Sequence, residues 1–402
     1  MIAQKMVKYV EGSSVTRAMF EEGKKLAAKY GALNVYDFSL GNPSTPPPAS
    51  VKQAILDIIN EVNPGRLHGY MNNSGHEDVR EAIAQSLNKK HDTSFSQKNI
   101  IMTVGAAGGL NVILKSITDP GDEIIAFAPY FGEYNNYVAN FDGNVVVIPP
   151  SIPSFQPDIQ AFEEKITVKT KAVIINTPNN PTGVVYSEET IKQIAQVLYN
   201  KQEEYGTQIY LLSDEPYREL VYDGIEVPYI TKYYKNTIVC YSYSKSLSLP
   251  GERIGYLVIP DEADDFDNLI CAANVATRIL GFVNAPSIMQ LAIARCLDDT
   301  TDTTVYDTNR LLLYNKLSSI GFECIKPDGA FYLWVKTPCA DDVEFAGKAK
   351  EFNLLLVPGS SFMCKGYVRI AYCVDTDMIK RSFTAFEKLA AYYSLKQHRN
   401  ED

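Results

Sequence analysis

From about residue 100 to about residue 260 the chain carries a series of short, nearly unbroken apolar runs set apart by helical patterns and turns. They are Ile100–Val104, Glu123–Ala128, Val145–Pro149, Ala172–Asn176, Ile209–Ser213, Thr237–Tyr241 and Ile254–Ile259. Val51–Glu61, Glu77–Lys89, Leu110–Ile117, Ile159–Ile166 and Glu188–Tyr199 space their apolar residues as amphipathic helices do. A strand that is apolar throughout, rather than on alternate residues, belongs in a sheet covered on both faces. The alternation therefore predicts an α/β fold with a mostly parallel central sheet flanked by helices. Ligands of such sheets bind in loops at the carboxyl ends of the strands. The residues just after each run are thus the ones to read for chemistry.

The flanks have a different texture. Residues 12–30 read as an amphipathic helix and Val35–Leu40 as a strand, before Gly41-Asn42-Pro43 and Pro46-Pro47-Pro48 break regular structure. Beyond residue 286 a long helical stretch, Ser287–Tyr314, precedes strands near Phe331–Val335 and Tyr367–Ala371 and a helix to about Leu395. The expected division is a large domain over 48–285 and a smaller α+β domain made of 1–47 and 286–402, with a disordered tail at Lys396–Asp402. A length of 402 residues agrees with two or three domains.

Composition excludes several classes. Lys and Arg number 38 against 48 Asp and Glu, a net charge of −10, which argues against a binder of nucleic-acid backbones. No run of about 18 apolar residues is present to span a membrane. Cys240, Cys271, Cys296, Cys324, Cys339, Cys364 and Cys373 form no Cys-x-x-Cys pair, which fits neither a disulfide framework nor a zinc site. With an N-terminus that lacks a signal-like apolar stretch, they lead us to expect a cytoplasmic protein. The four histidines show no ligand spacing, so no metal site is expected.

Four strand ends carry unusual chemistry. Gly105-Ala106-Ala107-Gly108-Gly109 follows the first run and leads into a helix, as a tight turn or as a cradle of free N–H groups for a phosphate. Asn176-Thr177-Pro178-Asn179-Asn180-Pro181-Thr182-Gly183 is a rigid loop in which Asn180 either caps its own turn or presents an amide. Asp214 opens Asp214-Glu215-Pro216-Tyr217, where it either caps, pairs with a base or holds a ligand cation. Ser242-Tyr243-Ser244-Lys245 precedes Gly251-Glu252-Arg253; Lys245 is either a surface lysine or one of lowered pKa able to act as nucleophile or base. Each feature alone is ambiguous. Together they meet the needs of one ligand, pyridoxal 5′-phosphate: N–H donors and an arginine for phosphate, a carboxylate for the ring nitrogen, an amide and a phenol for the ring oxygen, a lysine for the aldehyde.

On these motifs, with Asp37-Phe38-Ser39-Leu40-Gly41-Asn42-Pro43 and Tyr367-Val368-Arg369-Ile370, the chain resembles the fold-type I pyridoxal-phosphate aminotransferases of the class I/II group, which includes aspartate and alanine aminotransferases. The likeness runs from about Ser14 to about Leu389. It implies that Lys245 bonds the cofactor aldehyde and later shuttles a proton, that Asp214 partners the ring nitrogen, and that Tyr217 and Asn180 partner the ring oxygen. It implies phosphate contacts from the N–H groups of Ala106 and Ala107, from Ser242 and Arg253, and from Tyr70 of a second subunit. Phe131 matches the ring-stacking aromatic, with Tyr130 as its near alternative. Arg369 resembles the fork that grips the substrate α-carboxylate, with Gly41 and Asn180 beside it.

The implied reaction is a ping-pong exchange through Lys245. An L-amino acid leaves as a 2-oxo acid, and a second 2-oxo acid then receives the amino group. The implied assembly is a homodimer with shared active sites. A pyridoxal-phosphate C–S β-lyase of the same fold is the alternative. Some bacterial aspartate aminotransferases bind the side-chain carboxylate with a lysine where this chain has Ala107. Others use an arginine of the partner subunit, for which Arg278 or Arg17 is the candidate here.

Overall fold

The computed structural model describes residues 1–11 and 15–396; the tail from residue 397 on lies outside the described residues. All seven apolar runs form one sheet. Its spatial order is Ile100–Thr103, Gly255–Val258, Thr237–Ser242, Tyr210–Glu215, Thr170–Asn176, Glu123–Phe127, Asn144–Ile148. Only Gly255–Val258 runs against its two neighbours; the other adjacent pairs are parallel, as expected. Tyr210–Glu215 and Thr237–Ser242 are buried at every position, which is why their sequences do not alternate. Of the two edge strands, Asn144–Ile148 is partly exposed and Ile100–Thr103 is buried.

Helices cover both faces. Gly105–Ile117 packs on one face of the sheet and Phe266–Ile279 packs on Gly105–Ile117, in one buried cluster that includes Ile113, Ala273, Leu212 and Cys240. Glu188–Tyr205 packs Ile191, Ile194 and Leu198 against Ile175 and Leu211 on the other. Ser187 starts that helix by accepting from the Thr190 N–H, and Gly206 ends it in the left-handed conformation, φ 64°.

A second, four-stranded antiparallel sheet orders Val357–Pro358, Tyr367–Ala371, Tyr332–Lys336 and Cys324–Ile325. Tyr36–Asp37 pairs with Leu354–Leu355, and Phe38 lies in one buried cluster with Leu313, Tyr332 and Phe386. The beginning and the end of the chain therefore share a core. Arg310, fully buried, pairs with Asp223 and Asp307 and stacks 4.5 Å over Tyr222, which ties the loop after Tyr217 to this core.

Two local expectations change. Ser287–Tyr314 is two helices, Ser287–Ile293 and Thr304–Ser319. Between them Asp298-Asp299-Thr300-Thr301-Asp302-Thr303 favours side-chain bonds to its own backbone, as when Asp302 accepts from the Thr304 N–H and hydroxyl. Val35–Leu40 yields only the two-residue strand Tyr36–Asp37. Of the expected helix over 12–30, residues 12–14 lie outside the described residues and the rest is the helix Val15–Tyr30, as expected; a further helix, Gln4–Glu11, precedes it.

Candidate active site

One cavity of about 580 Å³ opens at the carboxyl ends of the large sheet and is closed by residues of the second sheet. Gly41, Ala106, Ala107, Phe131, Asn180, Asp214, Tyr217, Ser242, Lys245, Arg253 and Arg369 all line it. Residues read as separate strand-end oddities thus share one space.

At one end, the helix Gly105–Ile117 begins five residues earlier than its apolar pattern suggested, so Ala106 and Ala107 form its first turn. N–H groups of a first turn have no partner within the helix. Gly105 has φ +79°, and a Cβ there would stand 3.0 Å from Arg253 Nη2. That guanidinium is anchored on backbone oxygens, Nη1 donating to Pro250 O at 3.0 Å and Nη2 to Val104 O at 3.3 Å. The Ser242 hydroxyl, at the end of its strand, donates to Ser244 Oγ at 2.7 Å.

At the centre, Lys245 lies in the short helix Tyr243–Ser246 and donates from Nζ to Gly41 O at 2.7 Å. Burial, with the cations Arg369 and Arg253 adding to it, lowers its ammonium to about 8. Asp214 is buried near the end of its strand; its Oδ2 accepts from the Tyr134 hydroxyl at 2.5 Å, and its Oδ1 has no partner. Burial pushes this carboxyl up to about 7, against the pull of that hydrogen bond. Phe131 meets Tyr134 edge-on at 5.8 Å, whereas Tyr130 turns away and bonds Asn135.

At the other end, Arg369 Nη1 donates to Asn180 Oδ1 at 3.0 Å and Nη2 to Ser39 O at 2.6 Å, while Nε is buried without a partner. The guanidinium lies between the rings of Tyr332 (4.5 Å) and Phe362 (4.9 Å). The Tyr217 hydroxyl bonds the Tyr332 hydroxyl at 2.8 Å.

Tyr70 and Arg278 do not line the cavity of their own chain; Tyr70 is 96% exposed and Arg278 is exposed in the last turn of Phe266–Ile279. The side chain of Arg17 lies outside the described residues. Sequence reasoning missed Tyr134 and Tyr332. The first lies three residues after Phe131, in the turn that opens the helix, where its N–H donates to the Phe131 carbonyl at 3.0 Å. The second follows Ala330-Phe331 at the start of a strand and carries no motif of its own.

The cavity fits pyridoxal 5′-phosphate on two observations. A buried carboxylate oxygen, Asp214 Oδ1, lacks the donor that a ring N–H would supply. A helix N-terminus and an arginine meet where a Cβ on Gly105 would crowd the guanidinium, leaving room for an anion among backbone donors.

Comparison with known proteins agrees. The family model for aminotransferase class I and II matches residues 33–386. A solved aminotransferase from Eubacterium rectale is 49% identical, with a TM-score of 0.95, over 98% of this chain and 99% of that one. An aspartate aminotransferase from Thermus thermophilus, solved with maleate, is 26% identical with a TM-score of 0.84, over 97% and 99%. A probable aspartate/prephenate aminotransferase of Thermus aquaticus is 30% identical over 90% of this chain and 93% of its own. A probable N-acetyl-LL-diaminopimelate aminotransferase of Bacillus subtilis is 30% identical over 88% of each. With cavity, fold and sequence in agreement along nearly its whole length, the chain belongs to the class I and II aminotransferases.

Proposed function

We propose that this chain is a pyridoxal-phosphate-dependent aminotransferase that exchanges an amino group between an L-amino acid and a 2-oxo acid through Lys245. The observation that carries the reading is the placement of the Lys245 amine in one cavity with the free oxygen of Asp214, between the guanidiniums of Arg253 and Arg369. Bound pyridoxal 5′-phosphate supplies an electron sink that makes the Cα proton of an amino acid acidic.

The rest is done by side chains. An ammonium lowered to about 8 releases its proton near neutral pH, so Lys245 can take a proton from Cα and return it. Arg369 holds the α-carboxylate and thereby the orientation of the Cα–H bond. Asp214 offers negative charge to the ring nitrogen. Asn180 and Tyr217 offer an amide and a phenol to the ring oxygen. Arg253, Ser242 and the first turn at Ala106 and Ala107 receive the phosphate.

Tyr70 and Arg278 are read as residues given to a second copy of the chain. Asn73 Nδ2 donates to Val283 O, and Asn284 Nδ2 to Asn72 O, so the Tyr70 loop and the segment after Arg278 are joined. Together they carry the exposed apolar side chains of Tyr70, Ile279, Phe282 and Val283. Phe282 comes 3.9 Å from where a Cβ on Gly108 would stand, beside the helix that starts the phosphate end. A substrate with a distal carboxylate would draw on Arg278 of that second copy, since Ala107 offers no cation.

A substrate panel tests the function. Holoenzyme without acceptor should release one equivalent of 2-oxo acid per site from its amino acid and continue only when a second 2-oxo acid is added. Continuous pyruvate release without an acceptor would overturn transamination in favour of a C–S β-lyase.

A further inference from the structure

We propose that Tyr134 is a positioning residue of the cofactor site: its hydroxyl pins the Asp214 carboxylate, so that one oxygen alone faces the cavity to meet the ring nitrogen. The proposal rests on the cofactor reading above and adds a residue to it.

Tyr134 stands in the first turns of the helix Glu133–Asn140 and is fully buried. Its ring is held by Tyr130, stacked at 5.9 Å, and by Phe131, edge-on at 5.8 Å. The hydroxyl therefore has a fixed aim, and it meets Asp214 Oδ2 at 2.5 Å. A short O–H···O⁻ contact is a strong one. It occupies one oxygen and fixes the plane of the carboxylate. The other oxygen, Oδ1, is buried without a partner, on a residue that lines the cavity. A carboxylate with both oxygens free could rotate; this one is held against rotation by its bond to Tyr134.

The environment of Asp214 decides how much that hydrogen bond matters. Asp214 is paired in register with Asn176 and Cys240 on the adjacent strands, and Asn176 donates to its backbone oxygen rather than to its carboxylate. Glu215 and the phenols of Tyr137 and Tyr217 also interact with it. None of these is a cation. Burial and Glu215 both favour the protonated acid, and the Tyr134 hydroxyl is the group that opposes them. Without it, Asp214 would be neutral over a wider pH range and a weaker partner for a ring N–H⁺.

The test uses the cofactor-free full-length chain and pyridoxamine 5′-phosphate, which has the ring nitrogen and the phosphate but no aldehyde for Lys245. Its Kd is measured by equilibrium dialysis from pH 5.5 to 9 for wild type, Tyr134→Phe, Tyr134→His, Asp214→Asn and the Tyr134→Phe/Asp214→Asn pair. Tyr134→Phe keeps the packed ring and should weaken binding about tenfold at pH 7, with its pH dependence moved upward and the gap closing in alkali. In the Asp214→Asn background the same change should cost less than about twofold. Tyr134→His, which keeps a donor, should recover part of the loss. The phosphate of the ligand titrates equally in every variant and drops out of the ratios. A loss that is equal at all pH values, or equally large in the Asp214→Asn background, would make Tyr134 a packing residue and overturn the proposal. A wild-type chain that binds no pyridoxamine 5′-phosphate at any pH would overturn the cofactor reading, and the proposal with it.

Discussion

Gly41 meets the site through space rather than through backbone conformation, and this makes Gly41→Ala a sharp perturbation. A Cβ there would stand 2.0 Å from the Tyr332 hydroxyl oxygen, 2.9 Å from Cζ and 3.0 Å from Cε1. An ordinary carbon–oxygen contact needs more than 1 Å of further separation. Tyr332 cannot readily yield it. It is buried in a four-stranded sheet, bonded to Tyr217 at 2.8 Å and stacked on Arg369 at 4.5 Å. The loop must move instead, and that loop carries the Gly41 carbonyl on which Lys245 rests at 2.7 Å. Overpacking of this kind costs about 1–3 kcal/mol, and a displacement of about 1 Å at reacting groups costs about a hundredfold in rate. The expected result is a loss of about a hundredfold in kcat/KM with a fall of a few degrees in Tm. Tyr332→Phe alone removes one hydrogen bond from the Tyr217 hydroxyl, a cost of about 1 kcal/mol or roughly fivefold. It also removes the atom in worst conflict with the new methyl. The double variant should therefore recover at least about tenfold over Gly41→Ala. Steady-state kinetics of the four proteins form the assay. A double variant as slow as the product of the singles would refute the packing argument.

Competitive acetylation of the cofactor-free protein should find the Lys245 amine half reactive near pH 8, with reactivity rising as pH rises through that value; a midpoint near that of surface lysines would contradict the burial argument. Phe282→Asp, on the face that joins Tyr70 to Val283, should yield a monomer in sedimentation with less than about a tenth of the activity; an active monomer would remove Tyr70 from the site. Arg278→Ala should lower kcat/KM for aspartate or glutamate at least about tenfold more than for alanine. An unchanged preference would leave Arg278 without a role in specificity.

Lys245, Asp214, Asn180 and Arg253 could be read from sequence because chain order does most of the work: the first three lie within or just after a strand of one sheet, and Arg253 lies just before Gly255–Val258, which runs antiparallel and so starts at the same edge. A parallel sheet gathers such residues at one edge whatever the details of packing. Arg369 and Gly41 were legible only through a family likeness, because they reach the cavity from the second sheet and from the N-terminal segment. Tyr332 and Tyr134 were not legible. They are two of 26 tyrosines, and what sets them apart is a hydroxyl partner 115 residues away in one case and 80 in the other. The helix division after Ile293 failed for a local reason, since the periodic pattern ran across an Asp/Thr-rich break that caps its own backbone.

The site also shows how an acidic chain binds anions. Among the described residues three buried arginines lie outside the cavity: two are neutralised by carboxylates, Arg218 by Glu215 and Arg310 by Asp223 and Asp307, while Arg80 rests on the carbonyls of Gly75 and Gln97. The three cations inside are anchored on neutral oxygens instead: Lys245 on Gly41 O, Arg253 on Val104 O and Pro250 O, Arg369 on Ser39 O and Asn180 Oδ1. A neutral acceptor fixes the geometry of a cation without cancelling its charge, so the charge remains for a ligand. Asn180→Asp converts one arrangement into the other with almost no change in shape. It would place a carboxylate 3.0 Å from Arg369 Nη1, with both residues buried. The new pair should hold the guanidinium for itself and weaken binding of a carboxylate inhibitor by about 2–3 kcal/mol, roughly 30- to 150-fold. Tm should not fall, because the added charge has a partner. Cofactor affinity should fall less than inhibitor affinity: the amide offered to the ring oxygen is lost, but Arg253 and its neutral anchors are untouched. An Asn180→Asp protein that binds carboxylates as tightly as wild type would show that Arg369 does not hold them, and that the neutral anchoring is incidental.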